Sequence, residues 1–230
     1  MLDFSQFEYV SFDCYGTLID WESSLLGYMR PLLRSKGYDI TDGEMLNLYS
    51  EFEPRQQDRL YRSYREILAE VVRDFGSHFD FAVSDEEARG LADSIHNWEP
   101  FPDTVAALRR LKSRYKLAVL SNIDDDLFAF TAPKLGVELD CLVTAQQVES
   151  YKPSLNNFET LLERLHIEKE RLLHAAESLY HDVTPARSLG ITTVWVNRRQ
   201  GKAAAATKLS DARPDVEVPT VAALADLAEL

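Results

Sequence analysis

The chain has 230 residues, 45% of them hydrophobic, with a formal net charge of −13 and a pI near 4.8. It is long enough to bury a full core in one or two domains. The acidic balance disfavours nucleic-acid binding, and no apolar run reaches the roughly 18 residues of a membrane span. Two cysteines, Cys14 and Cys141, are too few for a disulfide framework, so we expect a cytoplasmic protein. The N-terminus has no basic region followed by an apolar core, so we expect no signal peptide.

The first predicted strand is the apolar run at 9–12, which ends in Asp13 and is followed by Gly16 and Thr17. Its residues are β-prone and its end has turn chemistry, which is typical of a buried strand. Ligands of an open α/β sheet bind just beyond the carboxyl ends of its strands. The position therefore predicts a functional carboxylate at Asp13, the alternative being an aspartate that only caps a turn.

Helical periodicity follows from Trp21 to about Asn97, without a convincing strand. One helix is predicted over 59–75, and another begins after Ser84, which has the character of an N-cap. We therefore predict a helical insert at 19–97. The remaining residues, 1–18 and 98–230, would form the other domain.

From residue 98 the pattern changes to alternating strands and helices. A linker with two prolines leads to Asp103, which we expect to cap a helix at 104–112. Further strands are predicted at 117–120, 141–144, 172–176 and 192–196, and further helices at 124–135, 155–165, 183–189 and 221–230. This alternation predicts an α/β fold with a Rossmann-like, doubly wound parallel sheet.

Polar residues follow four of the predicted strands. Because the carboxyl ends of parallel strands share one edge of a sheet, these side chains should converge there, which predicts an active site. The residues are Asp13, Ser121, Asn122, Lys152, Glu177, Ser178 and Asp182.

These four stretches, in this order, resemble the motifs of the haloacid dehalogenase superfamily of hydrolases. The resemblance implies that the insert is a cap domain and that Asp13 is a nucleophile that forms a covalent ester. Ser121 would hold the anionic group of a small-molecule substrate, with Asn122 beside it. Lys152 would neutralise and orient Asp13, and Asp182 would serve the water or, in phosphatase members, a magnesium ion.

Tyr15 separates two branches of that superfamily. Phosphatase members carry a second aspartate two residues after the nucleophile, where it protonates the leaving alkoxide, a contribution of about 10²- to 10⁴-fold. A halide leaves without a proton. Tyr15 resembles the 2-haloacid dehalogenase branch, as do the stretches 150–153 and 194–198. We therefore predict cleavage of the carbon–halogen bond of a short 2-haloacid, of the (S)-2-haloacid dehalogenase type and without a cofactor.

Two features depart from that branch. Its members carry a cap-helix arginine for the halide, which we would expect near Ser50, where there is none. The nearby arginines form a solvated helix face, or one of them enters the site; they are Arg55, Arg59, Arg62 and Arg65. In addition, Leu179 stands where the branch has asparagine.

Glu177 stands where phosphatase members have a metal-linked aspartate. The alternative function is therefore a magnesium-dependent phosphatase of small phosphomonoesters, since Mg²⁺ prefers oxygen ligands. Its ligands would be Asp13, the backbone of Tyr15, Glu177 and Asp182. A second alternative is a catalytically idle binding protein, and a homodimer is compatible with the resemblance.

Each site residue also has a purely structural interpretation. Lys152 would be a surface lysine, Thr17 a turn hydroxyl, and His181 a packing residue. Ser121 with Asn122, and Asp182, would be helix caps. Aromatic residues would mostly belong to the core, although some could line a small pocket; they are Phe12, Tyr15, Trp21, Tyr49, Phe52, Tyr61 and Tyr64.

Overall fold

The computed structural model describes residues 2–57, 60–199 and 210–229. Within them, one sheet has the strand order β3-β2-β1-β4-β5-β6, and every pairing is parallel. The strands are β1 (Tyr9–Phe12), β2 (Lys116–Ser121), β3 (Cys141–Thr144), β4 (Leu172–Ala176), β5 (Thr192–Val196) and β6 (Val216–Val218). The predicted α/β fold with a doubly wound parallel sheet is confirmed.

The helices lie between the strands and in the predicted insert. In chain order they are α1 (Trp21–Ser35), α2 (Asp42–Gln57), α3 (Tyr64–His78), α4 (Asp85–Asp93), α5 (Thr104–Lys112), α6 (Asp125–Thr131), α7 (Ala145–Val148), α8 (Leu155–Leu165), α9 (Thr184–Ser188) and α10 (Val221–Leu227). Helices α1 to α4 fill the stretch between β1 and α5, as predicted. No helix in the described ranges is long and apolar enough to cross a bilayer.

Strand β1 lies at the centre of the sheet, and its position explains the location of Asp13. It pairs with β2 on one side and β4 on the other. The chain moves outward from β1 through β2 to β3 and then returns to β4, so the strand order reverses beside β1. Such a reversal opens a crevice at the carboxyl ends of the strands, which is where ligands bind in this class of sheet.

Two apolar clusters cover the two faces of the sheet. Val10 and Phe12 belong to the larger cluster, whereas Tyr9 belongs to the smaller one, as expected from the alternation of side chains along a strand. The larger cluster also contains Met29 of α1 and Phe75 of α3. The apolar packing therefore continues from the sheet into the insert, and the division at 19–97 stays a prediction.

Several predicted boundaries need correction. The helix predicted over 59–75 begins at Tyr64, because Ser63 accepts a hydrogen bond from the Glu66 amide and Glu66 bonds back to the Ser63 amide. Residue 59 lies outside the described residues. The helix predicted over 124–135 is α-helical only to Thr131 and then tightens into a 3-10 turn, since Pro133 has no amide hydrogen to donate.

Two further corrections come from tertiary contacts. Asp103 does not cap α5 with its side chain. Its carboxylate instead accepts hydrogen bonds from Arg198 Nη1 (2.6 Å) and the Ala222 amide (3.1 Å). The stretch predicted as a helix at 183–189 begins as a π-helical turn at Leu179–Val183 and becomes α9, and the three-residue strand β6 was not predicted.

Candidate active site

Asp13 directly follows β1 and is 8% exposed. Its Oδ1 accepts a hydrogen bond from Lys152 Nζ (2.9 Å), and its Oδ2 accepts one from Thr17 Oγ1 (2.8 Å). Thr17 Oγ1 in turn accepts a hydrogen bond from the Glu177 amide (2.9 Å). The two contacts fix the rotation of the carboxylate, so Thr17 does more than close a turn.

Gly16 allows the loop after Asp13 to pass beneath the insert. Its φ is +102°, and a Cβ atom at this position would lie 2.9 Å from Trp21 Nε1. A residue with a side chain would be strained and would also push Trp21 away. The glycine therefore lets the loop after Asp13 lie directly against the first residue of α1.

Lys152 is buried, 2% exposed, and is not a surface lysine. Its Nζ donates to Asp13 Oδ1, to Asp182 Oδ1 (2.6 Å) and to the Leu120 carbonyl (2.9 Å). Burial by itself would lower the pKa of Lys152, but the Asp13 and Asp182 carboxylates outweigh it and raise the pKa. The lysine therefore stays a cation shared between two buried carboxylates.

Asn122 holds the backbone of Lys152. Its Oδ1 accepts from the Lys152 amide (2.8 Å), and its Nδ2 donates to the Lys152 carbonyl (3.1 Å). The Asn122 side chain therefore positions the lysine rather than capping α6. It also lines the cavity in front of Asp13.

Ser121 ends β2 and is 1% exposed. Its Oγ is buried and has no hydrogen-bond partner among the described residues. Ser121 also lines the cavity. Because an unpaired buried hydroxyl is costly, this atom is available for a bound polar group.

Asp182 is 1% exposed and lies behind Lys152. Its Oδ1 accepts from Lys152 Nζ and lies 3.0 Å from His174 Nε2, and His174 Nδ1 lies 2.8 Å from Ser11 Oγ. Burial would raise the pKa of Asp182, but Lys152 and the hydrogen bond from His174 lower it. Its Oδ2 is buried without a partner in the described part of the chain.

His174 and Ser11 were not predicted from the sequence. They are neighbours on adjacent strands, since Ser11 of β1 is in register with His174 of β4. Polar residues in the middle of two buried strands were the available signal, because an apolar side chain would be expected there. The pair carries a hydrogen-bond chain from β1 through the sheet to Asp182.

Glu177 follows β4 and lines the same cavity as Asp13. Burial, with the charges of Asp13 and Asp182, raises the pKa of Glu177 to about 7. Arg199 Nε lies 3.3 Å from Glu177 Oε1, but this guanidinium also pairs with Glu22, so its charge is shared. Arg198, the last residue of the stretch 194–198, donates to the Thr17 carbonyl and to Asp103 and so anchors the loop after Asp13.

A metal ion would need several of these carboxylates around one point. Among the described residues, no group of three or more histidine, cysteine, aspartate or glutamate side chains is arranged to hold one. The Lys152 ammonium lies between Asp13 and Asp182, and Glu177 faces Arg199. The arrangement with Asp13, the Tyr15 backbone, Glu177 and Asp182 therefore does not form a ligand set in this structure.

Tyr15 lines the same cavity as Asp13. Its hydroxyl shares a hydrogen bond with Thr131 Oγ1 (2.8 Å), and its ring meets Trp98 edge to face at 5.7 Å. Burial is the main cause that raises the pKa of Tyr15 well above 10. The residue two positions after Asp13 is therefore a neutral phenol. Its hydroxyl is bonded to Thr131, and its high pKa makes it a poor proton donor to a leaving group.

The cavity in front of Asp13 has a volume of about 60 Å³. One water needs at least ~10–15 Å³, so the cavity suits a small molecule. The insert and the linker contribute Trp21, Tyr49, Glu53, Tyr64 and Trp98, and the loops after the strands contribute Asp13, Tyr15, Ser121, Asn122, Lys152, Glu177, Ser178, His181 and Asp182. Four of the seven aromatic residues considered in the sequence analysis line it; Phe12 and Phe52 belong to the core, and Tyr61 stacks on Tyr151.

None of the described arginines considered for the halide lines this cavity. Arg55 pairs with Glu51 on an exposed face, Arg62 donates to Gln56, and Arg65 bonds Asp93 and Asp126. Arg59 lies outside the described residues. The insert instead contributes Glu53 to the lining of the cavity. Glu53 was not predicted from the sequence, because the resemblance implies an arginine on this helix and no acid.

Comparisons with known proteins agree with the fold. The family model of haloacid dehalogenase-like hydrolases matches residues 7–190. The (S)-2-haloacid dehalogenase H-109 of Pseudomonas putida is 29% identical over 206 residues, which cover 84% of this chain and 86% of that protein. The glyceraldehyde 3-phosphate phosphatase of Methanothermobacter thermautotrophicus is 30% identical over 160 residues, which cover 63% and 70%.

The structure of the L-2-haloacid dehalogenase of Xanthobacter autotrophicus has the same fold, with a TM-score of 0.81 at 19% identity. The similarity covers 97% of this chain and 98% of that one. The matched region therefore includes the sheet, the loops that carry the site and the helical insert.

Proposed function

Because the chain belongs to the haloacid dehalogenase-like hydrolase family, we propose that this hydrolase cleaves the carbon–halogen bond of a short 2-haloacid of (S) configuration. The main support is Asp13, whose carboxylate is held by Lys152 and Thr17 while the residue two positions later is a phenol. Several similar proteins, including the one from Pseudomonas putida, are (S)-2-haloacid dehalogenases.

The first step is a displacement at carbon. An oxygen of Asp13 attacks C2 of the substrate, a C–O bond forms, and the C–halogen bond breaks with both electrons leaving on the halide. The substrate carboxylate is held by Ser121 Oγ, the buried hydroxyl without a partner. Burial raises the pKa of Asp13, and the charge of Lys152 opposes that rise, because a neighbouring cation favours the charged form that attacks.

Hydrolysis of the ester completes the cycle. Water attacks the carboxyl carbon of Asp13, so one solvent oxygen enters the Asp13 side chain and the substrate keeps the oxygen that Asp13 donated. Asp182 Oδ2, buried without a partner, accepts a hydrogen bond from this water. One proton of the water passes to the departing alkoxide oxygen and the other to solvent, so the products are the 2-hydroxy acid, inverted at C2, and regenerated Asp13. Covalent catalysis thus divides one difficult substitution into two easier steps.

The test is turnover in ¹⁸O-labelled water with 2-chloropropionate, followed by mass spectrometry of the peptide that contains Asp13. We expect halide release and ¹⁸O in that peptide after several turnovers, and neither in the Asp13→Asn variant. Halide release without label in the side chain would contradict the covalent route. Unchanged behaviour of Asp13→Asn in every assay would favour the idle binding protein.

A magnesium-dependent phosphatase of small phosphomonoesters is the second candidate. It is supported by the similarity to a phosphatase, and it would require Asp13, Glu177 and Asp182 to leave the ion pairs described above in order to bind the ion. Phosphate release from glyceraldehyde 3-phosphate that disappears on addition of a chelator, without halide release from any haloacid, would favour it. The cofactor-free reaction, the cytoplasmic location and a homodimer remain predictions.

A further inference from the structure

Glu53 is a buried acid that the proposed mechanism does not use. It lies on α2, is 8% exposed, and lines the cavity in front of Asp13. Its Oε1 accepts hydrogen bonds from Gln57 Nε2 (2.7 Å) and from the Tyr64 hydroxyl (3.3 Å). No hydrogen bond or ion pair joins its Oε2 to any other described residue. One oxygen of a buried carboxyl is therefore available to whatever occupies the cavity.

The surrounding hydrogen bonds indicate where the proton lies. The Tyr64 hydroxyl donates to Glu53, so in its 3.1 Å contact with Tyr49 it must accept. Both phenolic protons are then used in a chain that ends on Oε1. With two donors on Oε1, the acid proton of a neutral Glu53 belongs on Oε2, where it can be donated into the cavity.

The direction of the displacement brings the leaving group to the wall of the cavity that contains Glu53. Asp13 attacks from the sheet, and Ser121 holds the substrate carboxylate on the sheet side, so the halogen must point away toward the insert. The residues of the insert that line this wall are Trp21, Tyr49, Glu53 and Tyr64. None of these four carries a positive charge.

We propose that Glu53, held by Gln57 and Tyr64, is the hydrogen-bond donor that receives the departing halide, in the role that a cation would otherwise fill. This inference rests on the proposed function. The C–halogen electron pair leaves with the halide, Glu53 keeps its proton and donates a hydrogen bond, and the halide departs as an anion. Fluoride, the strongest acceptor among the halides, gains most, so Glu53 raises the rate for fluorinated acids more than the rate for brominated acids.

The protonation of Glu53 supports this role. Burial is the main cause that raises the pKa of Glu53 to about 7, so the carboxyl is neutral below that pH. The phenols that face it, Tyr49, Tyr64 and Tyr151, have raised pKa values and do not titrate near neutrality.

Across the cavity lie Asp13, Lys152, Asp182 and Glu177, and Glu177 also titrates near pH 7. The pH profile of the wild type alone would therefore mix two groups. Only the difference from a variant that lacks the Glu53 carboxyl isolates Glu53.

The test compares Glu53→Leu and Glu53→Gln with Glu51→Gln, an exposed acid on the same helix. Release of fluoride, chloride and bromide from the three haloacetates is measured at pH 6 and pH 8. We expect Glu53→Leu to lose about 10- to 100-fold in kcat for fluoroacetate at pH 6, the effect of one hydrogen bond to a charged group, and much less for bromoacetate. Glu53→Gln should retain most of the rate and lose the part of the pH dependence that belongs to Glu53. An equal loss for all halogens, or a gain in rate for Glu53→Leu, would overturn the proposal.

A binding measurement separates this inference from the proposed function. Trp21 and Trp98 line the cavity, so their fluorescence reports fluoride or chloride added to the enzyme without substrate. At pH 6 we expect at least a 10-fold weaker fluoride affinity for Glu53→Leu than for the wild type and for Glu51→Gln. Equal affinities would overturn the role of Glu53 even if the enzyme releases halide. Weaker binding in an enzyme that releases no halide would support the anion site and contradict only the dehalogenase reaction.

Discussion

The ammonium group of Lys152 lies 2.9 Å from Oδ1 of Asp13, and both side chains are buried. The same ammonium bonds Asp182, so one cation balances two carboxylates. Removing a partner from such a cluster leaves a buried charge without compensation, which costs far more than the loss of an exposed ion pair. The cluster of Lys152, Asp13 and Asp182 therefore also stabilises the fold.

Replacing Lys152 by methionine should abolish turnover and destabilise the fold by about 3–5 kcal/mol, because Asp13 and Asp182 then face each other without a cation. Urea unfolding measures the stability. Lys116→Met is the matched control, since Lys116 is half exposed and pairs with Glu8 at the surface. A variant of Lys152 as stable as this control would show that the buried carboxylates do not depend on the lysine.

Thr17→Val should reduce kcat about 10- to 100-fold, because its hydroxyl donates one hydrogen bond to the charged Asp13 carboxylate and also accepts from the Glu177 amide. Thr17→Ser keeps the hydroxyl and should restore most of the rate. Steady-state halide release measures both variants. Comparable rates for the valine and serine variants would rule out this hydroxyl as the positioning group.

The contribution of Glu53 to the stability of the protein should fall as the pH rises from about 4.5 to about 7. The folded protein keeps the proton of Glu53 to about pH 7, whereas the unfolded chain releases it near the ordinary value of 4.5. Over this interval the unfolded state binds fewer protons, so the free energy of unfolding decreases with pH. Glu53→Gln cannot titrate and should lack this decrease.

The free energy of unfolding of Glu53→Gln relative to the wild type should therefore increase by about 3 kcal/mol between pH 4 and pH 8. Urea denaturation at several pH values measures it, with Glu51→Gln as the control. Parallel pH dependences for Glu53→Gln and the wild type would mean that Glu53 ionises in the folded state as readily as in the unfolded chain.

Asp124 links the loop after β2 to the insert. Its carboxylate accepts hydrogen bonds from the Tyr64 amide (2.8 Å) and the Arg65 amide (2.9 Å), the first two residues of α3. These amides would otherwise be unsatisfied at the helix N-terminus. Asp124→Ala should cost about 1–2 kcal/mol and speed hydrogen exchange at both amides.

Asp126→Ala is the control for this link. Asp126 is exposed and pairs with Arg65 on the surface, where an ion pair contributes little. Amide exchange measured by NMR should therefore change at the first turn of α3 only in Asp124→Ala. If both variants leave that turn equally protected, the carboxylate of Asp124 does not hold the insert against the loop.

The periodic segments could be predicted well because their signals are local. Cys141–Thr144, Leu155–Leu165 and Thr192–Val196 have the predicted boundaries, since turn residues flank a continuous apolar or amphipathic run. Predictions were wrong where a distant partner decides the outcome. Asp103 looks like a helix cap in sequence, but Arg198 and the Ala222 amide bind its carboxylate instead.

By itself, the sequence determined the class of fold and brought Asp13, Ser121, Asn122, Lys152 and Asp182 to one edge of a sheet, because strand polarity and the alternation of strands and helices are written in local patterns. Only the tertiary structure decided which groups satisfy one another. It placed His174 behind Asp182, turned the described arginines of α2 and α3 away from the cavity and put Glu53 in the lining of the cavity in front of Asp13. These relations depend on burial and on contacts between residues far apart in the chain, where the cost of leaving a polar group unpaired selects its partner.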